Sequence, residues 1–418
     1  MASLLVSLTE ATQQQAGGKA AVLGALARAG FPVPPGFVVP IEVYRAETRG
    51  LDLAEVRGPD EVRRLIESRP LPSELVREVT EGVTRLGGDA VAVRSSASTE
   101  DTVGASAAGQ HDTFLGVSGP GAVIERLPAI WASLWSMRAV AYRSAGAVAP
   151  EMAVIVQRHI DADVAGVLFT DAPGVLIEAS WGLGESVVGG LVTPDSFSVS
   201  ADGVVGRRTG DKGTRIDRRG NGTVTTAVPP ESRRRLCLDD RQVIQLARLG
   251  QDVAAHLGGP QDIEFAVEKD RIWLLQARPV TAPLPQPDPT PADPRPASAA
   301  DPQAAHTAGP AAGVAHLRGI AGSPGQVSGP ARVVHGPEDF SRVGPGDILV
   351  CRFTDPAWTP LFSVVAGVVT ETGGRLSHAA IVAREHRIPA VLGVPTAMTT
   401  LYDGQPLTVD GTNGTVHG

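Results

Sequence analysis

TETGGRLSHAAIVAREHRIPAVLG, residues 370–393, is the stretch around which this chain is organised. The apolar run 366–369 just ahead of it reads as a buried strand that ends in Thr-Glu-Thr-Gly-Gly. Residues 377–385, Ser-His-Ala-Ala-Ile-Val-Ala-Arg-Glu, read as a short helix, and 388–393 as a second short strand. His378 then sits on a glycine-rich turn at the start of a helix. Free backbone N–H groups and the positive end of the helix dipole favour an anion there. The same dipole favours a neutral imidazole, which leaves one ring nitrogen nucleophilic near pH 7. Such a residue is suited to accepting a phosphoryl group and handing it on. A lone histidine in this position is more often a helix cap or a satisfied core group. The spacing of its neighbours is what weighs against that reading here.

The run Gly-Gly-x-x-Ser-His-Ala-Ala-Ile-Val-Ala-Arg-Glu, residues 373–385, closely resembles the phosphohistidine motif of one enzyme family. That family comprises phosphoenolpyruvate synthase, pyruvate phosphate dikinase and rifampin phosphotransferase. The resemblance implies that His378 is the catalytic residue and carries the phosphate. It also implies an α+β/α/β multidomain fold. An ATP-grasp-like ATP/Mg-binding domain of two subdomains is expected over 1–282, a Pro/Ala-rich linker over 283–315, and a small α/β swivelling phosphohistidine domain over 316–418.

Composition agrees with a chain of this kind. At about 100–200 residues per domain, 418 residues predict two to three domains. Apolar residues make up 42% and aromatics 4%, which suits compact α/β cores rich in Ala, Val and Gly. A net charge of −8 with no basic block argues against a nucleic-acid partner. Cys237 and Cys351 lie far apart without metal-ligand spacing and fit a reduced, cytoplasmic setting. The opening MASLLVSLTEATQQQ has only a short apolar run and no basic flank, so no signal peptide is expected. No apolar segment approaches the ~20 residues of a membrane span.

Gly17-Gly18-Lys19 precedes a helical pattern over 20–29 and then GFPVPPGF, residues 30–37. Glycines before a helix let backbone approach phosphates, and a lysine adds positive charge. The Walker spacing is absent. Residues 17–39 resemble the opening of the family's nucleotide domain, which implies that Lys19 contacts ATP phosphates. Residues 51–85 read as helical scaffold. The strand-like run 90–93 leads into Arg94-Ser-Ser-Ala-Ser-Thr-Glu-Asp101, where a guanidinium could hold phosphate oxygens or pair with Glu100 or Asp101. Its resemblance to the family's Val-Arg-Ser-Ser-Ala signature implies the phosphate role. Residues 108–115, AGQHDTFL, resemble the loop that covers the nucleotide, with Gly109 and Thr113 at positions that approach it. His111 is read as loop structure, and 131–143 as a packing helix. The runs 152–157, 166–170 and 175–179 read as strands; Gln157 matches a family residue near the adenine. Gly182-Leu-Gly-Glu185 and Val192-Thr-Pro-Asp195 match family loops.

QDIEFAV, residues 261–267, and IWLLQARP, residues 272–279, read as two strands about a Glu-Lys-Asp turn. Alternation places Asp262 with Glu264 on one face, and Gln276 with Arg278 on one face. A carboxylate, an amide oxygen and a guanidinium on facing strands form a reasonable site for Mg²⁺ and triphosphate. The resemblance implies that Glu264 and Gln276 are metal ligands and Arg278 a phosphate contact. From 283 to 315, proline alternates with polar residues and then Ala, Pro and Gly dominate, which reads as a tether.

The resemblance implies phosphorylation of His378 from ATP, by its β-phosphate, with AMP and phosphate released. Family members also carry either a C-terminal barrel or an inserted antibiotic-binding domain, and residues 1–418 carry neither. The small-molecule acceptor is therefore expected on a separate substrate-domain protein or in an interdomain cleft. Two alternatives are a ligase that activates a carboxylate or enol through phosphohistidine, and a nucleotide-binding remnant with a scaffold role.

Overall fold

The computed structural model describes residues 3–51, 58–87, 89–98, 112–136, 139–140, 151–171, 174–200, 202–280 and 316–418. Gly109, His111, Glu100, Asp101 and the 283–315 segment lie outside the described residues. Two compact units emerge. The larger takes in Met1–Thr281 together with Thr354–Pro360 and Leu376–His378; the smaller takes in Ala282–Phe353, Leu361–Arg375 and Ala379–Gly418.

Two large sheets dominate the larger unit, beside the two-stranded pair Thr214–Arg218 and Thr223–Ala227. One has five strands in the spatial order Val6–Ser7, Gly36–Val39, Met152–Arg158, Val91–Ala97, Thr113–Val117, with antiparallel neighbours throughout. Met152–Gln157 is buried on both faces, which is why it reads as an unbroken apolar run rather than an alternating one. The helices Pro59–Glu67, Ser73–Leu86 and Pro120–Ala132 close a core over one face through Val62, Val79, Leu127 and Trp131. Helix Pro120–Ala132 opens on a proline, which suits the first helical turn. Of the helix expected over 131–143, residues 131–132 close it, Ser133–Trp135 form a 3-10 turn, 139–140 are helical, and 137–138 and 141–143 lie outside the described residues.

The helix expected over 20–29 is longer than its pattern. It runs Gln13–Arg28 and is broken at Gly17, whose φ of 73° and ψ of 175° are not helical. A Cβ at Gly17 would lie 2.4 Å from the Ser96 carbonyl oxygen. Glycine is required on both counts, because the backbone is left-handed there and presses on strand Val91–Ala97.

The second sheet has six antiparallel strands in the order Arg271–Pro279, Gln261–Glu268, Val164–Asp171, Gly174–Trp181, Asp195–Ser200, Val205–Arg208. Lys269 and Asp270 join the first two with φ of 50° and 65°, the left-handed pair that matches strand twist in a two-residue hairpin. Helix Asp240–Leu257 packs on this sheet. Asp239 and Gln242 form a reciprocal capping box at its start, and Gly258 ends it in the left-handed region. Its buried face, Val243, Leu246, Ala247, Gly250 and Val253, follows helical spacing. Fully buried Lys212 and Asp195 pair at 2.6 Å. Asp195 also accepts the backbone N–H groups of Gly210 and Cys237 at 2.8 Å, so the buried carboxylate is well satisfied.

The smaller unit is centred on an eight-stranded mixed sheet. Gln326–Val334, Ile348–Cys351, Gly367–Thr370 and Ala390–Leu392 are successive parallel neighbours, each strand after the first buried. The expected strand–helix–strand order around His378 is present. The helix begins at His378 itself and runs to His386, one residue later than the pattern suggests.

Candidate active site

Seven of the residues singled out in the sequence are brought to one cavity of about 650 Å³ in the larger unit. Lys19, Arg94, Thr113 and Gln157 line it from the five-stranded sheet and the first helix, and Glu264, Gln276 and Arg278 from the other sheet. Local geometry explains the convergence. Ser96 Oγ accepts the backbone N–H of Ala20 at 3.1 Å, which ties the helix just past the Gly17 break to strand Val91–Ala97. Lys19 and Arg94 thereby face the same space.

The hairpin behaves as its alternation requires. Glu264 stands opposite Gln276, and Asp262 opposite Arg278. Arg278 donates from Nε to Asp262 Oδ2 at 2.8 Å, so its guanidinium is held by a neighbour across the ladder. Arg94 reaches over from the other sheet. It donates from Nη1 to the Leu275 carbonyl at 2.6 Å and from Nη2 to Gln276 Oε1 at 3.0 Å. The same Nη2 lies 3.4 Å from Glu264 Oε2. These partners fix the guanidinium plane, and rigid, charge-assisted donors are what phosphate recognition needs. Gln157 is buried, and its side-chain amide donates to the Pro34 carbonyl at 2.8 Å.

Two wall residues were not weighed as ligands or readers in the sequence. Glu185 begins the short helix Glu185–Val188, and its carboxyl is pushed up first by burial and then by the charge of Glu264, with Arg94 opposing. Gly-Leu-Gly-Glu looks like an ordinary turn until folding sets it against a second carboxylate 79 positions on in the chain (264 minus 185). His159 lines the same cavity.

Among the described residues no group of three or more His, Cys, Asp or Glu side chains is arranged to hold a metal. The oxygen set here is smaller: two mutually repelling carboxylates, Glu185 and Glu264, beside the Gln276 amide. All three are hard oxygen donors, the type Mg²⁺ takes when water and phosphate complete its shell. The residues fit the ion.

His378 is buried, with 5% of its surface exposed. Its Nδ1 lies 2.9 Å from Thr354 Oγ1 and its Nε2 3.3 Å from Thr359 Oγ1. Burial, and then the positive charge of Arg278, lowers its pKa to about 4. The imidazole is neutral at pH 7 as expected, but burial rather than the helix dipole is the leading cause. The turn ahead of it is pinned: Arg384 donates to the carbonyls of Gly322 at 2.9 Å and Arg375 at 2.8 Å. Within the larger unit, the Leu376 N–H donates to the Glu178 carboxylate at 3.0 Å. Thr354 and Thr359 carry no sequence signal, since threonines are common in loops and only the fold sets these two beside the ring.

Known proteins are similar to this chain over most of its length. Residues 13–294 match the family described as pyruvate phosphate dikinase, AMP/ATP-binding domain, and residues 343–414 that described as PEP-utilising enzyme, mobile domain. A probable phosphoenolpyruvate synthase from Methanothermobacter thermautotrophicus is 35% identical, over 96% of this chain and 61% of that protein. One from Archaeoglobus fulgidus is 36% identical, over 96% of this chain and 56% of that protein. The phosphoenolpyruvate synthase of Aeropyrum pernix is 37% identical, with the same two shares of 96% and 56%. The chain thus spans between 56% and 61% of the length of these relatives. Among the described residues no helix is long and apolar enough to cross a membrane.

Proposed function

The chain belongs to the pyruvate phosphate dikinase and phosphoenolpyruvate synthase family, and on that premise we propose that it is an ATP-dependent phosphotransferase that phosphorylates its own His378. The observation that carries the reading is the state of that ring. A neutral imidazole with both nitrogens at threonine hydroxyls belongs to the same compact unit as Lys19, Arg94 and Arg278, and Arg278 acts on it electrostatically.

In this reading residues 1–282 form an ATP-grasp-like domain, 283–315 a tether, and 316–418 a swivelling domain. ATP occupies the cavity with its phosphates toward Lys19, Arg94 and Arg278 and beside Thr113, and Gly109 is assigned to the nucleotide on the family resemblance alone. Glu264 and Gln276, joined by Glu185, would hold Mg²⁺, which when bound neutralises charge on the phosphate oxygens. Thr354 accepts the Nδ1–H of His378, which leaves the Nε2 lone pair as the nucleophile. Nε2 bonds to the β-phosphorus and the bond from that phosphorus to the α-phosphate oxygen breaks, releasing AMP. Water then takes the γ-phosphoryl group as inorganic phosphate, and the β-phosphoryl stays on the ring. Positioning and fixed positive charge carry most of the catalysis. The names of the relatives point to phosphoenolpyruvate formation as the second half-reaction, which we assign to the portion of those proteins that lies beyond the span of this chain.

Incubation with Mg²⁺ and ATP labelled at the β- or γ-position tests the first half-reaction. Acid-labile, base-stable label from β-labelled ATP is expected on the wild type and not on His378→Ala, with AMP as the nucleotide released. Label on neither protein would sink the proposal, and label from the γ-position with ADP released would replace β-transfer by γ-transfer.

A further inference from the structure

The nucleotide cavity has a direction. On the five-stranded sheet, Arg94 stands opposite Ile155 and Ala92 opposite Gln157, and beyond them the His159 N–H donates to the Ala90 carbonyl. On the other sheet, Glu264 stands opposite Val167 and Ala266 opposite Ala165. Arg94 meets Glu264 across the two sheets and Arg158 meets Glu268, so both sheets step from the Arg94–Glu264 pair to Ala92 and Ala266 in the same sense. Ala162, Ala165 and Leu183 line the cavity and pack with Ile160 and Ala266 in one apolar cluster, which makes its apolar end, and His159 directly precedes Ile160. Four residues separate the Arg94 level from His159, about 13 Å at the rise of a strand. An extended nucleotide with its phosphates at Arg94 would put its base at this end.

The polar side chains of that end are mostly committed. The Gln157 amide donates to Pro34. Arg158 is held by Glu268 at 3.2 Å and lies over the Trp273 ring at 4.7 Å. His159 differs. Its side chain is 4% exposed, and Nε2 is buried without a hydrogen-bond partner, 3.6 Å from Asp161 Oδ1. Arg218 grips that carboxylate with two hydrogen bonds, Nε to Oδ1 at 2.7 Å and Nη2 to Oδ2 at 2.8 Å. Burial keeps the imidazole neutral by lowering its pKa, the Asp161 charge opposing. A neutral ring carries one proton, and the fixed carboxylate draws it to Nε2. Nδ1 is then the ring's acceptor, on a residue that lines the cavity.

Resting on the reading of this cavity as the nucleotide site, we propose that His159 Nδ1 accepts a hydrogen bond from the exocyclic amino group of the base. His159 is thus a specificity-determining residue that selects a 6-amino purine over a 6-oxo purine, with Asp161 and Arg218 as positioning residues that set its tautomer. An oxo group at the same place sets two acceptors against each other in a buried site.

Inosine triphosphate is the right probe, because it has the shape of ATP with the amino group replaced by oxygen. Calorimetry should show the wild type preferring ATP over ITP by about tenfold or more, the size of one buried hydrogen bond. In His159→Leu that ratio should fall toward one, while the affinity for inorganic tripolyphosphate stays unchanged and so reports an intact phosphate end. Asp161→Asn, folded as judged by its thermal melt, should lower the ratio too. A wild-type ratio near one, or an unchanged ratio in His159→Leu with tripolyphosphate binding intact, would overturn the assignment while leaving ATP-dependent phosphorylation standing. Failure of the wild type to bind any nucleotide would remove the proposed function and this inference together.

Discussion

His378 shows how far one side chain's chemistry depends on its surroundings. An exposed histidine titrates near pH 6.5, whereas this one, held down by burial and by Arg278, titrates at about 4. If neutral imidazole is the nucleophile, the rate of label transfer to His378 stays level from pH 8 down to about pH 5.5 and falls only toward 4. A break near 6.5 in single-turnover measurements would contradict that. The same shift has a stability sign. Between about 4 and 6.5 the unfolded chain binds a proton at this site and the folded chain does not, so stability is lost as pH falls through that window. His378→Gln should lose less stability than the wild type over the same range in urea titrations.

Elements position the site through close backbone approach. The first helix breaks at Gly17, presses on the Ser96 carbonyl and so delivers Lys19 beside Arg94. Gly17→Ala would place a methyl group 2.4 Å from that carbonyl on a left-handed backbone. We expect a loss of about 1–3 kcal/mol in unfolding free energy and weaker ATP binding. An equally stable variant with unchanged affinity would show that the contact does not matter. The hairpin Gln261–Glu268 and Arg271–Pro279 was legible in the chain as two strands about a turn. Glu268 nevertheless pairs with Arg271, so that the turn is only Lys269 and Asp270, and a bulge between Glu264 and Phe265 interrupts the alternation. Its partner Arg94, 170 positions from Glu264, was legible as a cation but not as a group bonded to Gln276 and Leu275.

At the scale of the whole chain, the proposed reaction needs a phosphohistidine segment that meets ATP in one step and an acceptor in another. Residues 283–315 are proposed as the tether that allows it. Deleting about twenty of them removes roughly 60 Å of extended reach. Turnover with an acceptor-bearing relative should then fall at least tenfold, with the Kd for ATP unchanged. Turnover that survives the deletion would show that the segment is not a tether.

Local periodicity and the glycine-rich motif determined, from the sequence alone, the His378 strand–helix–strand unit and the Glu264–Gln276 hairpin, while the family resemblance singled out seven of the residues that line the cavity. They could do so because each is written within a few tens of consecutive residues. Only the tertiary structure decided which carboxylates confront one another, as Glu185 and Glu264 do, and which hydroxyls hold the His378 ring. It also decided that His159 lies at the apolar end of the cavity beside Asp161. Burial and the charge of distant neighbours set these groups' chemistry, and neither quantity exists along a chain until it has folded.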